Sequence, residues 1–438
     1  MHPNYRCAYL RVSVIAASVL ACMPGTALAA RVDYTVDLGM EWNDNVTLAP
    51  SDPIDQRYLR SGIGFLVTET NSALQAHLDG RVEYRNYEDD VFNDTVDGTL
   101  SGNLNWIAIP QRLYFMVEDN LSVQPVDALV PDAPGNRQQV NVFSAGPTLL
   151  FNWTPTLQGQ AELRYVNSDA EVTDEFNSQR LALALRTIKE LTPTSRVSFN
   201  VQGQRVDFED DIVARDYNRY DLFGRYSRTL AQFELGTDLG YSRIEYRQGE
   251  SRSEPLFRFD ATWNPNDRHR LTVAGSSQFS DTAIDALSSI EADATLPPEN
   301  VLTGDAVVNA SPYEVRSLEL DYAFTNTRLS FTVAPYVQKR NYVDSDEFDQ
   351  DTHGLRTDLH WLLRQRLTLG VFGTYESLEY TNLDRQDDTT RLGASLRYQW
   401  APRWSAALQW ERYKRDSNAL GQSVDQNLVY LSISYSNR

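Results

Sequence analysis

Between Leu74 and Arg85 the chain reads Leu-Gln-Ala-His-Leu-Asp-Gly-Arg-Val-Glu-Tyr-Arg. Leu74, Ala76, Leu78, Gly80, Val82 and Tyr84 fall on one side of an extended chain, and Gln75, His77, Asp79, Arg81, Glu83 and Arg85 on the other. Unbroken alternation of this length specifies a β-strand with one apolar and one wet face. The pattern returns at Val32–Trp42 and again at Leu157–Tyr165. Any fold for this chain must give each of those faces its own solvent.

Alternating segments occur near 32–42, 58–67, 74–86, 96–106, 113–119, 140–152, 157–166, 179–188, 196–207 and 218–227. They continue near 232–243, 254–263, 270–279, 315–324, 328–338, 354–363, 367–378, 390–400, 404–413 and 426–435. This predicts about twenty strands, within a range of about 16–20. Helical periodicity is confined to 282–312, and no Pro- or Ser-rich linker divides the chain, so 30–438 reads as one domain.

The connections alternate in kind. One class is tight and often holds proline (Pro110, Pro155, Pro193, Pro265, Pro402), whose fixed φ suits a turn. The other is longer and acidic, as at 43–57, 120–139 and 341–352, and the longest spans 280–314. Short turns at one end and long loops at the other are the layout of a transmembrane antiparallel up-and-down β-barrel, an all-β fold with periplasmic turns and extracellular loops. Trp106, Trp153, Trp263, Trp361, Trp400 and Trp404 all stand at short-turn ends of segments, as an aromatic girdle at a membrane interface requires, while Trp42 and Trp410 are placed at long-loop ends. A soluble sandwich or propeller would hold large aromatics mid-strand. The apolar face is therefore assigned to lipid and the polar face to a lumen. A sheet edge in lipid leaves backbone groups unpaired, so the first and last strands must meet.

The first residues carry Arg6 and Arg11, an apolar run at Val12–Met23 and the small-residue site Ala27-Leu28-Ala29. This is a secretory signal peptide, 1–29, implying Sec-type export to the outer membrane of a Gram-negative cell. Cleavage before Cys22, as in a lipoprotein, fits less well because Leu20 precedes it by two. Both cysteines, Cys7 and Cys22, belong to the leader, which excludes a disulfide framework and thiol chemistry downstream. The net charge of −20 becomes more negative by two on cleavage, and no basic cluster offsets it, which argues against nucleic acid. No later apolar run reaches the ~18–20 residues of a membrane helix.

Lumen-lining candidates carry both signs: Asp79, Arg81, Glu83, Arg85, Glu162, Arg164, Arg258, Asp260, Arg356, Asp358 and Arg397. Amides such as Gln158, Gln160, Asn200 and Gln202 lie between them. Paired charges with amides suit a hydrated, hydroxyl-rich solute better than an ion of one sign, although any barrel lumen must be polar and neutralise itself across strands. The 280–314 connection is apolar for this chain (Ile284, Leu287, Ile290, Leu296, Val307, Val308), so it is either an inward constriction or an ordered cap. The acidic run Asp344–Asp351 has calcium-like Asp spacing but lacks the central Gly and terminal Glu; with Glu88–Asp90 and Glu209–Asp211 it reads as a solvated rim. His77, His269, His353 and His360 have no Gly-framed serine, zinc spacing or phosphate loop beside them. No enzyme, metal or cofactor is expected, with a barrel esterase or acyltransferase as the minor alternative.

Asn43-Asp44-Asn45-Val46-Thr47-Leu48-Ala49-Pro50 after the first strand, Trp106…Pro110-Gln111-Arg112, Glu118-Asp119-Asn120 and Gly146-Pro147 resemble the outer-membrane β-barrel porin family found with PEP-CTERM/exosortase and other exopolysaccharide systems. The resemblance implies a barrel serving export or surface display of a polysaccharide, with periplasmic export components as partners and no catalytic residues. Its other partners are the lipid bilayer, lipopolysaccharide and the outer-membrane barrel assembly machinery. That machinery reads a terminal aromatic, here Tyr435, although Ser436-Asn437-Arg438 follows it. Three functions remain open: an exopolysaccharide conduit, a diffusion porin for small solutes, and a non-conducting structural or adhesive barrel.

Overall fold

The computed structural model describes residues 30–87, 91–210, 214–247, 249–292, 308 and 310–437. The leader at 1–29, Glu88–Asp90, Asp211 and most of the long connection lie outside the described residues. The described chain forms β1 (Arg31–Asn43), β2 (Gln56–Thr70), β3 (Leu74–Tyr87), β4 (Thr95–Ile109), β5 (Leu113–Pro125), β6 (Arg137–Thr154) and β7 (Leu157–Ala170). Then come β8 (Ser178–Thr192), β9 (Ser195–Phe208), β10 (Tyr217–Thr229), β11 (Phe233–Tyr246), β12 (Ser251–Asn266) and β13 (His269–Ser280). A helix, α1 (Thr282–Ala292), precedes β14 (Tyr313–Thr325), β15 (Leu329–Tyr342), β16 (Gln350–Arg364), β17 (Leu367–Tyr380), β18 (Arg385–Ala401), β19 (Trp404–Ser417) and β20 (Val424–Ser436).

Each strand pairs antiparallel with its sequence neighbours, and β1 pairs with β20 from Thr35↔Ser436 to Asn43↔Leu428, closing the sheet into a barrel. The tail after Tyr435 takes part in this seam. Asn437 accepts a hydrogen bond from the Tyr34 N–H at 2.8 Å and donates through Nδ2 to the Val32 carbonyl at 2.9 Å.

Every expected strand is present, and many are longer than the alternation indicates. Some added residues lie at the short-turn end, as in β4 and β8, and others at the long-loop end, as in β5, β18 and β19, where strands rise above the lipid and both faces meet water. There the outward face carries ion pairs such as Lys339–Asp351 at 2.9 Å and Arg412–Asp425 at 2.6 Å. Extension also moves Trp410: β19 continues to Ser417, so Trp410 is a mid-strand residue, whereas Trp42 is next to the last residue of β1.

Burial is inverted relative to a soluble sheet. Along β1, Val32, Tyr34, Val36, Leu38 and Met40 are 40–54 % exposed, while Asp37, Glu41 and Asn43 are 2–6 % exposed. The outward side chains of every strand continue this band, which far exceeds the few hundred Å² of contiguous apolar surface that a water-soluble monomer tolerates. At about 25 cal/mol per Å², leaving it in water is prohibitive, so the wall is adapted to lipid.

Candidate functional site

The period-two pattern sends one face of every strand into the barrel, so the charges there meet across strands. The densest network joins β1, β2, β3 and β4. Arg81 grips Asp37 with two nitrogens at 2.8 and 2.9 Å. Glu83 receives Arg60 at 2.7 Å, Arg85 at 2.6 Å and Arg81 at 3.3 Å. Arg60 also reaches Glu41 at 3.1 Å, and Arg85 reaches Asp97 at 2.6 Å. The Arg60 guanidinium lies 4.7 Å from the Tyr430 ring centroid, which ties β2 to β20 across β1. Asp79 occupies the same face two residues nearer the short turn.

Two further clusters lie on β6–β7 and on β10–β13. Arg164 lies 3.8 Å from Glu162 and donates to the Pro147 carbonyl at 2.9 Å and the Thr148 hydroxyl at 2.7 Å. The Gly146-Pro147 pair interrupts the β6–β7 ladder between Ala145↔Tyr165 and Thr148↔Glu162, and Arg164 satisfies the carbonyl this exposes. Arg225 joins Asp238 and Asp260, each at 3.1 Å, and Arg258 adds a contact to Asp238 at 3.4 Å and to Gln278 at 2.6 Å. On the far wall Arg356 pairs with Glu319, and His360 Nε2 lies 3.0 Å from Asp358. Arg397 is exposed near the short-turn end of β18, opposite Thr368 and Ala407. Most of the predicted candidates thus fall into separate neutralised groups. Among the described residues these groups form no ladder of one sign along the wall.

At the long-loop end the lumen is crossed. Asp281 caps α1, accepting from the Ala283 and Ile284 amides at 3.0 and 3.1 Å. The same carboxylate takes both contacts of Arg180 Nη1 from β8 at 2.7 Å and the Tyr217 hydroxyl of β10 at 3.1 Å. Burial pushes the Asp281 carboxyl up, but the Arg180 guanidinium outweighs it and holds the group below the usual carboxylate range. Asp285 accepts from Ser280 and Tyr313, each at 2.5 Å. From there α1 packs against β4, β5 and β6, far around the ring from its origin at β13. A second loop, 126–136, reaches the other way: Arg385 of β18 donates to the Leu129 carbonyl at 2.6 Å, and Ala133 packs on Leu48, Tyr413 and Val424. Of the two readings of the long connection, its described part takes the inward one.

The docking surface for these loops is what sequence reasoning missed. Val140, Val142, Val166 and Ala170 stand at inward register positions near the long-loop ends and form a buried cluster with Phe176, Ala283 and Val308. Val206, Phe208, Ile244 and Tyr246 do the same on β9 and β11. The signal was visible as apolar residues on the polar phase of a strand, confined to its long-loop end. The acidic run at 344–351 is also engaged: Asp344 takes Arg215, the Tyr246 hydroxyl at 3.0 Å and Ser311, and Asp349 accepts from the Tyr342 amide at 2.6 Å. Among the described residues no group of three or more His, Cys, Asp or Glu is arranged to hold a metal ion. The six short-turn tryptophans all point outward, 40–57 % exposed, each within three residues of its strand's end.

Residues 320–437, from within β14 to the tail, match the family described as "Putative beta-barrel porin 2". Among solved structures, the siderophore receptor PirA from Pseudomonas aeruginosa is 12 % identical, with 94 % of this chain and 81 % of that chain covered at a TM-score of 0.46. The FrpB iron transporter from Neisseria meningitidis is 9 % identical over 92 % of this chain and 81 % of that one, at 0.44. OpdK from Pseudomonas aeruginosa, solved with vanillate, is 10 % identical over 92 % and 98 %, at 0.36. No curated protein matches. The match covers the closing strands, and the described chain as a whole is a closed antiparallel β-barrel with a lipid-adapted wall.

Proposed function

We propose that the barrel is a conduit for a hydrated, hydroxyl-rich polymer, an exopolysaccharide leaving the cell, with α1 as its constriction. The observation that carries this reading is the self-neutralised lumen wall, in which Glu83 alone meets three arginines within 3.3 Å. Such a wall offers hydrogen bonds at every level without trapping a charged solute, which suits a chain of hydroxyls in transit. The resemblance to barrels of PEP-CTERM/exosortase and related systems supports the same direction. The reading requires periplasmic export components below the short turns, lipid and lipopolysaccharide around the wall, and the assembly machinery acting at Tyr435.

The test is gene deletion in the host with sugar analysis of surface and periplasmic polymer, complemented by the intact chain and by Asp281→Ala. Lost surface polymer with material retained in the periplasm supports the conduit; unchanged polymer rejects it. The crossing of the lumen by α1 favours a second reading, a diffusion porin for small solutes. Liposome swelling separates the two: a diffusion porin admits monosaccharides at once, whereas the conduit stays closed until Asp281 is replaced.

A further inference from the structure

The ladder between β4 and β5 stops early. Its last pair toward the long-loop end is Leu100↔Leu121. Yet β4 runs on to Thr95, paired with β3 as far as Arg85↔Thr95, and β5 runs on to Pro125, paired with β6 at Pro125↔Arg137. Beyond Leu100 and Leu121 each strand keeps its partner only on the far side, and a wedge opens in the wall. The ladder between β12 and β13 also stops short, at Phe257↔Ser277, but there Leu256 and Phe279 beside the gap are fully buried.

The β4–β5 wedge holds a cavity of about 610 Å³. Val82, Val96 and Leu121 line it from outward register positions, and Arg85 and Asp97 from inward ones. Val123 and Arg137 are the telling pair. Both occupy outward positions in the β5–β6 register, yet both also line the lumen cavity beside Arg85 and Asp97. Their side chains reach inside because the wall is open between β4 and β5. One side chain spans the opening: Gln139 Nε2 of β6 donates to the Val96 carbonyl of β4 at 3.4 Å. Behind it lies α1. Val96 stands about 10 residues up the strand from Trp106, the length that spans an apolar band ~25 Å tall. The wedge therefore opens at the outer leaflet, where an unpaired sheet edge costs several kcal/mol per backbone group unless it lines a cavity.

We propose that the wedge is a lateral portal for a single-chain anionic amphiphile from the outer leaflet. Its acyl chain lies against Val82, Val96 and Leu121, and its carboxylate reaches Arg85 and Arg137. Each guanidinium has five N–H donors, and the pairs of Arg85 with Glu83 and Asp97 and of Arg137 with Asp132 occupy only some of them, so a carboxylate joins the existing networks.

The probe is a photoactivatable C16 fatty acid, with its methyl ester as the uncharged control, added to the full barrel in lipid nanodiscs. Residues 30–438 contain no cysteine, so the pair Gly98→Cys/Val123→Cys, two steps beyond the last ladder pair, forms a disulfide that zips the wedge. Leu183→Cys/Gly203→Cys, an intact pair of β8 and β9, is the control. The portal predicts saturable labelling by the acid on the outer halves of β4 and β5, abolished by the 98–123 disulfide, restored by reduction and unaffected by the control disulfide. Arg137→Gln lowers the acid's apparent affinity about tenfold, the value of one charge-assisted hydrogen bond, and leaves the ester unchanged. Gln139→Ala raises labelling. Equal, unsaturable labelling by acid and ester, or labelling that persists through the disulfide, overturns the proposal. These outcomes are independent of whether polymer passes along the barrel axis.

Discussion

Asp119 occupies an unexpected place for a carboxyl group. It shares the outward face of β5 with Phe115, Val117 and Leu121, is 5 % exposed, and accepts the Asn141 amide at 2.8 Å. A buried polar pair is tolerable when both partners are satisfied and costly when one is removed. Asn141→Leu is expected to cost about 1–3 kcal/mol in urea unfolding from liposomes, and the double replacement with Asp119→Leu to recover most of the loss. Gly146 is constrained differently: an added Cβ would stand 1.9 Å from the Leu163 carbonyl oxygen. Gly146→Ala must push β6 from β7 and is expected to lower stability by about 1–3 kcal/mol in the same assay, with the Arg164 network disturbed alongside. Neither constraint was legible beforehand. The run Val117-Glu118-Asp119-Asn120 breaks alternation, so its facing is undefined, and a glycine in a strand does not announce what lies opposite. The arginines and acids of β3 were legible as an inward-facing set because Val82 and Tyr84 fix the phase around them.

The elements themselves were readable because period two and turn residues repeat twenty times over. Their lengths were not, because strand above the lipid needs no alternation. The helix α1 was foreseen as weak periodicity, but its landing place depended on apolar residues such as Val142 and Ile244 hidden in the polar phase. Its latch predicts a pH response. The Asp281 carboxyl is held below its ordinary range, so its contribution to docking is complete at pH values above about 4 and is lost as pH falls through the lowered value. Proteolysis of the 281–312 connection in intact barrels is expected to be unchanged from pH 8 to 5 and to accelerate only in stronger acid. Asp281→Ala is expected to show the acid behaviour at pH 7; protection that falls between pH 7 and 5 would assign the response to another group. At the closing seam, Asn437→Ala removes two hydrogen bonds to β1. Heat-induced loss of the compact gel form is expected at a lower temperature in this variant, because of the three hydrogen bonds Asn437 makes at the Val32–Tyr34 end of the seam only its own N–H to the Tyr34 carbonyl, at 3.2 Å, remains.

Over the whole molecule, in the channel reading proposed above, the charge arrangement is expected to set selectivity. Glu83→Gln leaves Arg60, Arg81 and Arg85 with less compensation, so the reversal potential in a salt gradient is expected to move toward anions when the constriction is open. An unmoved potential would place the conducting path away from β1–β4. The ring also has a temporal consequence. The bond from Tyr34 to Asn437 joins residues 403 apart in sequence, so the contact that abolishes the sheet's two edges is formed between the first strand made and the last. Any sheet that lacks β20 keeps two bare edges, and in lipid such an edge leaves backbone groups unpaired. Premature truncation anywhere upstream of β20 should therefore yield not a smaller pore but a substrate for periplasmic proteases.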